Sequence, residues 1–133
     1  MSYFNSQIQR KPMQKLVVSK IVQPGDCNPY HNLFGGILLA SIDEASAIFA
    51  KINTKQEICV TKKFGEVVFN VPVPMGSIIY LYCETIKKGI TSLTIRTTVK
   101  YTKDFEEQIE VTYCDLVFVA LDKTGHPTPI NWE

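Results

Sequence analysis

The chain has 133 residues, a length typical of one domain rather than two. Its 14 Lys and Arg against 13 Asp and Glu give a formal net charge of +1, which argues against a dedicated nucleic-acid-binding protein, because such proteins carry a basic excess or stripe. Hydrophobic residues make up 45% of the chain and charged residues 20%, values that argue against disorder. A domain of this size leaves roughly a third of its unfolded surface exposed when it folds alone, so self-association is expected.

The N-terminal segment, residues 1–14, is polar and aperiodic, and we interpret it as an arm that precedes a domain of residues 15–133. It lacks the continuous apolar stretch of a secretory signal, and no apolar run in the chain approaches the length of a membrane span. The four cysteines show no CxxC spacing and no neighbouring His that would complete a zinc pattern. We therefore expect reduced thiols, a cytoplasmic location, no metal site, and no membrane or nucleic-acid partner.

A first strand is predicted over residues 15–22, followed by a loop, QPGDCNPYHN, that is rich in turn formers. A helix follows over roughly residues 36–52, with Asn32 as a cap near its start. Its core face at 100° per residue holds Leu38, Ile42, Ala45, Phe49 and Ile52. An adjoining sector is uncharged apart from Asp43, and it holds Leu39, Ala40, Ser46, Ala47 and Ala50. A helix that is apolar or small over most of its circumference is predicted to be buried.

The rest of the chain predicts long strands separated by turns. The strands are expected at residues 57–71, 77–86, 91–102 and 109–122, before a turn-like tail. Turns of hairpin length make neighbouring strands antiparallel, and one helix against such a sheet is an α+β fold. A long sheet has more apolar surface than one helix can cover, which favours pairing with a second copy.

The start of the helix and its one buried acid are candidates for chemistry. Gly35 and Gly36 leave unpaired N–H groups at the positive end of the helix dipole, an arrangement that can hold an oxyanion, although a tight turn would need the same glycines. Asp43 is either a general base or nucleophile tuned by partial burial, or a structural carboxylate at a loop or subunit interface. His31 is either a general acid or base, or an exposed loop residue.

The segment KKGITS, residues 87–92, joins two predicted strands. Two lysines, a glycine and two hydroxyls form a surface that can bind phosphate, although many hairpins of this composition are only solvated turns. The chain contains no GxSxG nucleophile elbow, no P-loop and no dinucleotide-binding fingerprint.

Several short motifs follow one another along the chain. They are GDCN at residues 25–28, HNLFGG at 31–36, IDEA at 42–45, FNVPV at 69–73, and GITS at 89–92, with Thr61 and Gly76 between them. As an ordered set they resemble the signature of the hotdog-fold acyl-coenzyme A thioesterases, and they are most similar to the bacterial YciA-like enzymes and the cytosolic acyl-CoA hydrolases. The resemblance covers roughly residues 15–130.

The resemblance implies a long central helix wrapped by a five- or six-stranded antiparallel sheet. It also implies a dimer joined sheet edge to sheet edge, often a trimer of such dimers, with active sites at the dimer interface. The family's catalytic positions fall on Asp43, Asn28 and Gly36, with Asn28 acting together with the other subunit's carboxylate. Its coenzyme A contacts fall on Thr61, Lys87, Lys88, Gly89, Ile90, Thr91 and Ser92. The implied reaction hydrolyses acyl-CoA without a metal or redox cofactor.

The chain departs from the family pattern at His31, where related sequences usually have Gly, and after Asp43, where Glu-Ala-Ser replaces a glycine pair. Two alternatives therefore stay open. One is a hydratase or dehydratase of the same fold that uses His31 with a carboxylate. The other is a protein that binds acyl-CoA without catalysis.

Overall fold

The computed structural model describes residues 14–105 and 107–132, so the predicted N-terminal arm lies outside the described residues except for Gln14. In the described part, a long helix, α1 (Gly35–Thr54), packs against a five-stranded sheet. The strands are β1 (Lys15–Ile21), β2 (Ile58–Phe64), β3 (Ile78–Lys88), β4 (Ser92–Thr102) and β5 (Ile109–Leu121). A single turn of 3₁₀ helix, Pro24–Asp26, lies in the loop before α1.

The sheet has the strand order β1-β3-β4-β5-β2, and every neighbouring pair is antiparallel. Short connections produce the β3–β4 and β4–β5 hairpins, whereas α1 carries the chain from β1 to the opposite edge at β2. Buried residues alternate along β4, where Leu93, Ile95 and Val99 are fully buried. The predicted α+β class and the antiparallel sheet are confirmed, and β1 and β2 are the two edges.

The buried face of α1 follows the predicted periodicity only in part. Ile42 and Ala45 are fully buried, but Ile52 is 68% exposed, so its assignment to the core was wrong. Towards the C-terminus of α1 the buried residues are Ala50 and Thr54. These residues are four positions apart and therefore lie on the same side of the helix. Ile52 lies on the other side of the helix.

The ends of α1 differ from the prediction as well. The N-cap position is Phe34, which provides no side-chain cap, and not the predicted Asn32. Asn32 lies two residues earlier, where it bridges to Pro74 instead. At the other end Lys55 adopts φ 55°, and its N–H donates to Lys51 O at 2.9 Å, which closes the last turn.

A buried polar chain connects α1 to the sheet. Ser46 Oγ lies 2.7 Å from Ile42 O and 2.6 Å from Thr97 Oγ1, and Cys83 Sγ lies 3.1 Å from the same threonine oxygen. Ser46, Cys83 and Thr97 are all fully buried. Ser46 therefore belongs to the core, and its hydroxyl is satisfied there.

The strand predicted over residues 57–71 ends early, because β2 stops at Phe64. Gly65 still donates its N–H to Asp115 O at 2.9 Å, in a contact so close that a Cβ atom would collide with that oxygen. After Gly65 the chain leaves the sheet. It next pairs with the loop before α1, where Leu33 donates its N–H to Val73 O at 2.8 Å. Residues 66–71 therefore cross from the sheet edge to the loop before α1.

Candidate active site

Asp43 faces the edge strand β2. Its side chain is half-buried on α1, and its Oδ1 atom accepts a hydrogen bond from Thr61 Oγ1 at 2.7 Å. The carboxylate that the sequence left without a partner thus has one. Thr61, predicted as a coenzyme A contact, lies against the predicted catalytic acid. The bond fixes one carboxylate oxygen and leaves Oδ2 available to a water molecule or a substrate atom.

The N-terminus of α1 offers free hydrogen-bond donors. The first hydrogen bond into the helix runs from Leu38 N–H to Phe34 O at 3.1 Å, so the N–H groups of Gly35, Gly36 and Ile37 have no partner within the helix. Phe34 provides no side-chain acceptor that would cap them. These N–H groups, at the positive end of a 20-residue helix, can stabilise a negatively charged oxygen.

Asn28 is held in one orientation by its own loop. Its Oδ1 accepts the N–H groups of Tyr30 at 2.9 Å and Asn32 at 3.2 Å, and its own N–H donates to Asn32 O at 2.8 Å. Because both side-chain bonds need an oxygen acceptor, the Nδ2 amide points the other way, as the group able to donate to a ligand.

Asn28 and the helix start share a groove of about 450 Å³. Its walls are mostly apolar, and its lining comprises Asn28, Asn32, Leu33, Phe34, Gly35, Leu38, Phe69, Val71, Pro72 and Val73. Asp43 is not part of this lining. It lies seven residues along the helix from Gly36, roughly 10 Å at the ordinary rise per residue. Within one chain, the predicted catalytic residues therefore form two groups.

The predicted coenzyme-binding segment begins within β3, because Lys87 and Lys88 are the last two residues of that strand and not part of the turn that the sequence predicted. Lys87 and Lys88 are exposed, as is Ile90, and Gly89 donates its N–H to Ser92 O at 2.8 Å to close the hairpin. Thr91 is half-buried, and its carbonyl accepts the N–H of Ala120 at 2.9 Å. The end of β3 thus presents two ammonium groups next to the hairpin turn.

The C-terminal tail makes hydrogen bonds to this turn, which the sequence did not predict. Trp132 Nε1 donates to Gly89 O at 2.8 Å, and Ile130 donates its N–H to Ile90 O at 2.8 Å. Lys88 Nζ lies 5.1 Å from the centre of the Trp132 ring. No sequence pattern could indicate a partner 43 residues away for a tryptophan in a turn-like tail.

His31 contributes through its backbone. It has φ 65°, in the left-handed region, and its carbonyl accepts the N–H of Met75 at 2.9 Å while its side chain is exposed. Glycine adopts this conformation without strain, whereas a residue with a side chain, such as His31, adopts it only at a cost.

The cysteines are free thiols at four separate places. Burial raises the pKa of Cys83 to about 11, and burial also raises the pKa of Cys59 and Cys114. Over residues 14–105 and 107–132, no group of three His, Cys, Asp or Glu side chains could hold a metal ion. In the same part of the chain, no helix is long and apolar enough to cross a membrane.

The family model described as the thioesterase superfamily matches residues 30–104, which include α1, Asp43, Thr61 and the β3–β4 turn. This chain belongs to the thioesterase superfamily.

Similar thioesterases match over almost the whole chain. The acyl-CoA thioester hydrolase YciA of Salmonella typhimurium is 31% identical over 123 residues, which cover 90% of this chain and 92% of that protein. The hexameric thioesterase of Yersinia pestis has 30% sequence identity and a TM-score of 0.83, covering 91% of this chain and 98% of that chain. The acyl-CoA hydrolase of Staphylococcus aureus, solved with butyryl coenzyme A and coenzyme A, has 29% identity and a TM-score of 0.80, covering 91% and 72%.

These matches confirm the hotdog fold that the motifs implied, with one long helix on a curled antiparallel sheet. They also confirm the resemblance to YciA-like thioesterases.

Proposed function

We propose that this thioesterase hydrolyses acyl-CoA thioesters to a free acid and coenzyme A. The hydrogen bond between Thr61 Oγ1 and Asp43 Oδ1 is the observation that carries the proposal, because it orients a half-buried carboxylate at the edge of the sheet. The naming of similar proteins as acyl-CoA thioester hydrolases supports the choice of substrate class. Coenzyme A is then part of substrate and product, and no separate cofactor takes part.

In the hydrolysis, Asp43 acts through the oxygen that Thr61 leaves free. As a general base, it takes a proton from water while the water oxygen forms a bond to the thioester carbonyl carbon. As a nucleophile, it attacks that carbon itself, and water then cleaves the anhydride formed. In both routes the carbon–sulfur bond breaks, and the thiolate leaves and is protonated as coenzyme A.

The helix N-terminus supplies the second part of the mechanism. As the carbonyl carbon is attacked, negative charge develops on its oxygen, and the N–H of Gly36 is a donor for that oxygen. The Nδ2 amide of Asn28, a residue that lines the groove together with Gly35, is a further donor, and it orients either the carbonyl or the attacking water.

The separation of the two groups within one chain supports a site completed by a second copy. Gly36, Ala40, Asp43 and Ala47 follow one side of α1 at four- and three-residue steps, and the exposed Ala40 leaves room for a close neighbour. Within residues 14–105 and 107–132, the adjacent strand β2 lies at the edge of the sheet and pairs on one side only. We propose a dimer across this edge, in which Asn28 of one subunit meets Asp43 of the other, and a trimer of such dimers.

We propose the cytoplasm as its compartment, since the four free cysteines fit a reducing environment.

The test is thiol release from acyl-CoAs of increasing length, acetyl to palmitoyl, by the wild type and by Asp43→Asn. We expect turnover by the wild type and a loss of about a hundredfold or more in the variant, as for other positioned acid–base groups. Glu44→Gln, an exposed acid next to Asp43 on the same helix, is the matched control and should retain activity.

His31→Gly separates the thioesterase from the hydratase. The variant should keep its thioesterase activity, because the backbone of His31 and not its exposed side chain supports the loop. Absence of thiol release from every acyl-CoA, or hydration of an enoyl-CoA that requires His31, would reject the proposal.

A further inference from the structure

The buried polar chain between α1 and the sheet ends at the peptide group next to the candidate acid. The Ser46 hydroxyl donates to the carbonyl oxygen of Ile42 at 2.7 Å. That carbonyl belongs to the same planar peptide group as the N–H of Asp43. The hydrogen bond therefore restrains the backbone directly before the carboxylate that the proposed hydrolysis uses.

The hydrogen bonds of this chain all run in one direction. Because Ser46 donates its hydrogen to Ile42 O, Thr97 Oγ1 is the donor in its 2.6 Å contact with Ser46 Oγ. The hydrogen of Thr97 is then in use, so the Cys83 thiol donates to Thr97 Oγ1 at 3.1 Å. Burial raises the pKa of Cys83 to about 11, which keeps the thiol protonated at neutral pH. Each hydrogen thus has one acceptor, and a rotation of any of these side chains breaks a bond.

The chain starts at the middle of the sheet. Thr97 lies on the central strand β4, directly opposite Cys83 on β3. Both side chains and that of Ser46 are fully buried. A buried hydroxyl without a partner is unfavourable, so the three groups stay in the one arrangement that satisfies them all.

Two side-chain hydrogen bonds join α1 to the sheet in the described part of the chain, and both start from the same turn of the helix. Ser46 bonds Thr97 at the centre of the sheet, and Asp43, three residues earlier, bonds Thr61 at its edge. The apolar contacts of the helix have no preferred direction. These two bonds therefore define the rotation of α1 about its own axis.

We propose that Ser46 and Thr97 are positioning residues for the hydrolysis, which fix the rotation of α1 so that Asp43 presents its free carboxylate oxygen to the thioester. The inference rests on the function proposed above and adds two residues to it. Because both are fully buried, they act through Asp43 and do not touch the substrate. A displacement of about 1 Å in a reacting group can cost on the order of a hundredfold in rate, so a small rotation of the helix is enough to affect catalysis.

The experiment compares Thr97→Val with Thr97→Ser in the hydrolysis of acyl-CoA. Valine keeps the shape of threonine without its hydroxyl, whereas serine keeps the hydroxyl. We expect kcat of Thr97→Val to fall roughly tenfold with KM unchanged, because the position of the acid changes and the binding of the substrate does not. Thr97→Ser should keep most of the wild-type kcat.

Thr98→Val is the matched control. It makes the same substitution at the next residue of β4, another buried threonine, whose side chain points to the opposite face of the sheet. Its kcat and KM should match those of the wild type. Ser46 keeps its bond to Ile42 O in Thr97→Val, so we expect this variant to fold.

Urea unfolding separates this inference from the proposed function, because it needs no substrate. A double-mutant cycle of Asp43→Ala and Thr61→Val gives the coupling free energy between these two side chains. We expect this coupling to fall by about half or more in the Thr97→Val background. Such a fall supports the inference even if the wild type releases no thiol, a result that would reject only the hydrolase.

Three results would overturn the positioning role. The first is a coupling between Asp43 and Thr61 that is absent from the wild type or unchanged in Thr97→Val. The second is a kcat that is unchanged in Thr97→Val, or that falls equally in Thr97→Ser or Thr98→Val, because the loss would then not depend on this hydroxyl. The third is a rise in KM without a change in kcat, which would indicate a role in substrate binding.

Discussion

Asp26 shows how one carboxylate holds the loop that carries Asn28. Its Oδ2 atom accepts the N–H of Gln23 at 2.9 Å and lies 3.0 Å from Lys20 Nζ. Its carbonyl accepts the N–H of Phe34, the N-cap of α1, at 2.8 Å. The hydrogen bond from Gln23 and the neighbouring ammonium of Lys20 hold the pKa of Asp26 below its usual value of 3.8.

This shift predicts how stability depends on pH. A carboxylate whose pKa is lowered by folding stabilises the protein above its unfolded-state pKa, near 4, and the stabilisation is lost as the pH falls through the lower folded-state value. We expect Asp26→Ala to lower the free energy of unfolding by about 1 kcal/mol at pH 7, as for other lost caps, and by progressively less below pH 4. Urea unfolding from pH 7 to pH 2.5 measures the difference, with the exposed Asp104→Ala as control. A penalty that does not change with pH would contradict this role.

The β3–β4 hairpin and the C-terminal tail form a single structural unit at the scale of elements. The tail follows β5. In it, Thr128 donates its N–H to Ala120 O at 2.9 Å, and the Trp132 indole N–H donates to Gly89 O. Lys88 over the indole ring adds a cation–π contact, so one side chain of the tail orders both the backbone and a lysine of the turn. The phosphate-binding role predicted for this segment requires ammonium groups in fixed positions, which these contacts favour.

Trp132→Phe tests the brace, because it removes the indole N–H but keeps an aromatic ring under Lys88. We expect a loss of about 1 kcal/mol in unfolding free energy, the value of one hydrogen bond, and faster hydrogen exchange in the peptide that contains residues 89–91. Trp132→Ala should increase both effects, because it also removes the ring. Hydrogen exchange followed by mass spectrometry measures the local change, and unchanged exchange at the turn would show that the tail does not hold it.

At the scale of the whole molecule, the surface around Asp43 has the features of a subunit interface. Among the residues that the structure describes, no strand pairs with the outer side of β2, and Val60 of this strand is 41% exposed. The neighbouring side of α1 presents the exposed Ala40, whose small side chain allows another backbone to approach, while Ala47 packs partly against the core. An edge strand and a small-residue helix face next to a half-buried acid fit an interface that carries the active site.

Ala40→Arg, at the exposed alanine of this helix face, tests whether this surface joins two copies. We expect the large charged side chain to dissociate the dimer and to lower thiol release at least tenfold, because each site would lose the residues of its partner. Light scattering coupled to size-exclusion chromatography gives the mass. Phe105→Arg, which alters an exposed aromatic residue in the β4–β5 turn, should keep both assembly and activity. A monomeric wild type with full activity would contradict the interface.

Local patterns determined much of the fold. The alternation along β4 and the spacing of Leu38, Ile42, Ala45 and Phe49 predicted one helix and an antiparallel sheet, because burial repeats with the period of each element. The ordered motifs around Gly36 and Asp43 also indicated the thioesterase family. These features depend on residues close together in sequence, which is why the sequence alone could show them.

Only the tertiary structure decided which distant residues meet. The Thr61 hydroxyl bonds a carboxylate 18 positions away, and Trp132 bonds a carbonyl 43 positions away. The end of β2 at Phe64, the exposure of Ile52 and the bulge at Lys62 likewise follow from how helix and strands pack. A strand pattern cannot reveal an extra residue, because a bulge changes which face the following side chains occupy without changing their character. The candidate acid could therefore be identified from the sequence, whereas its hydrogen-bond partner and the contacts between the tail and the β3–β4 turn could not.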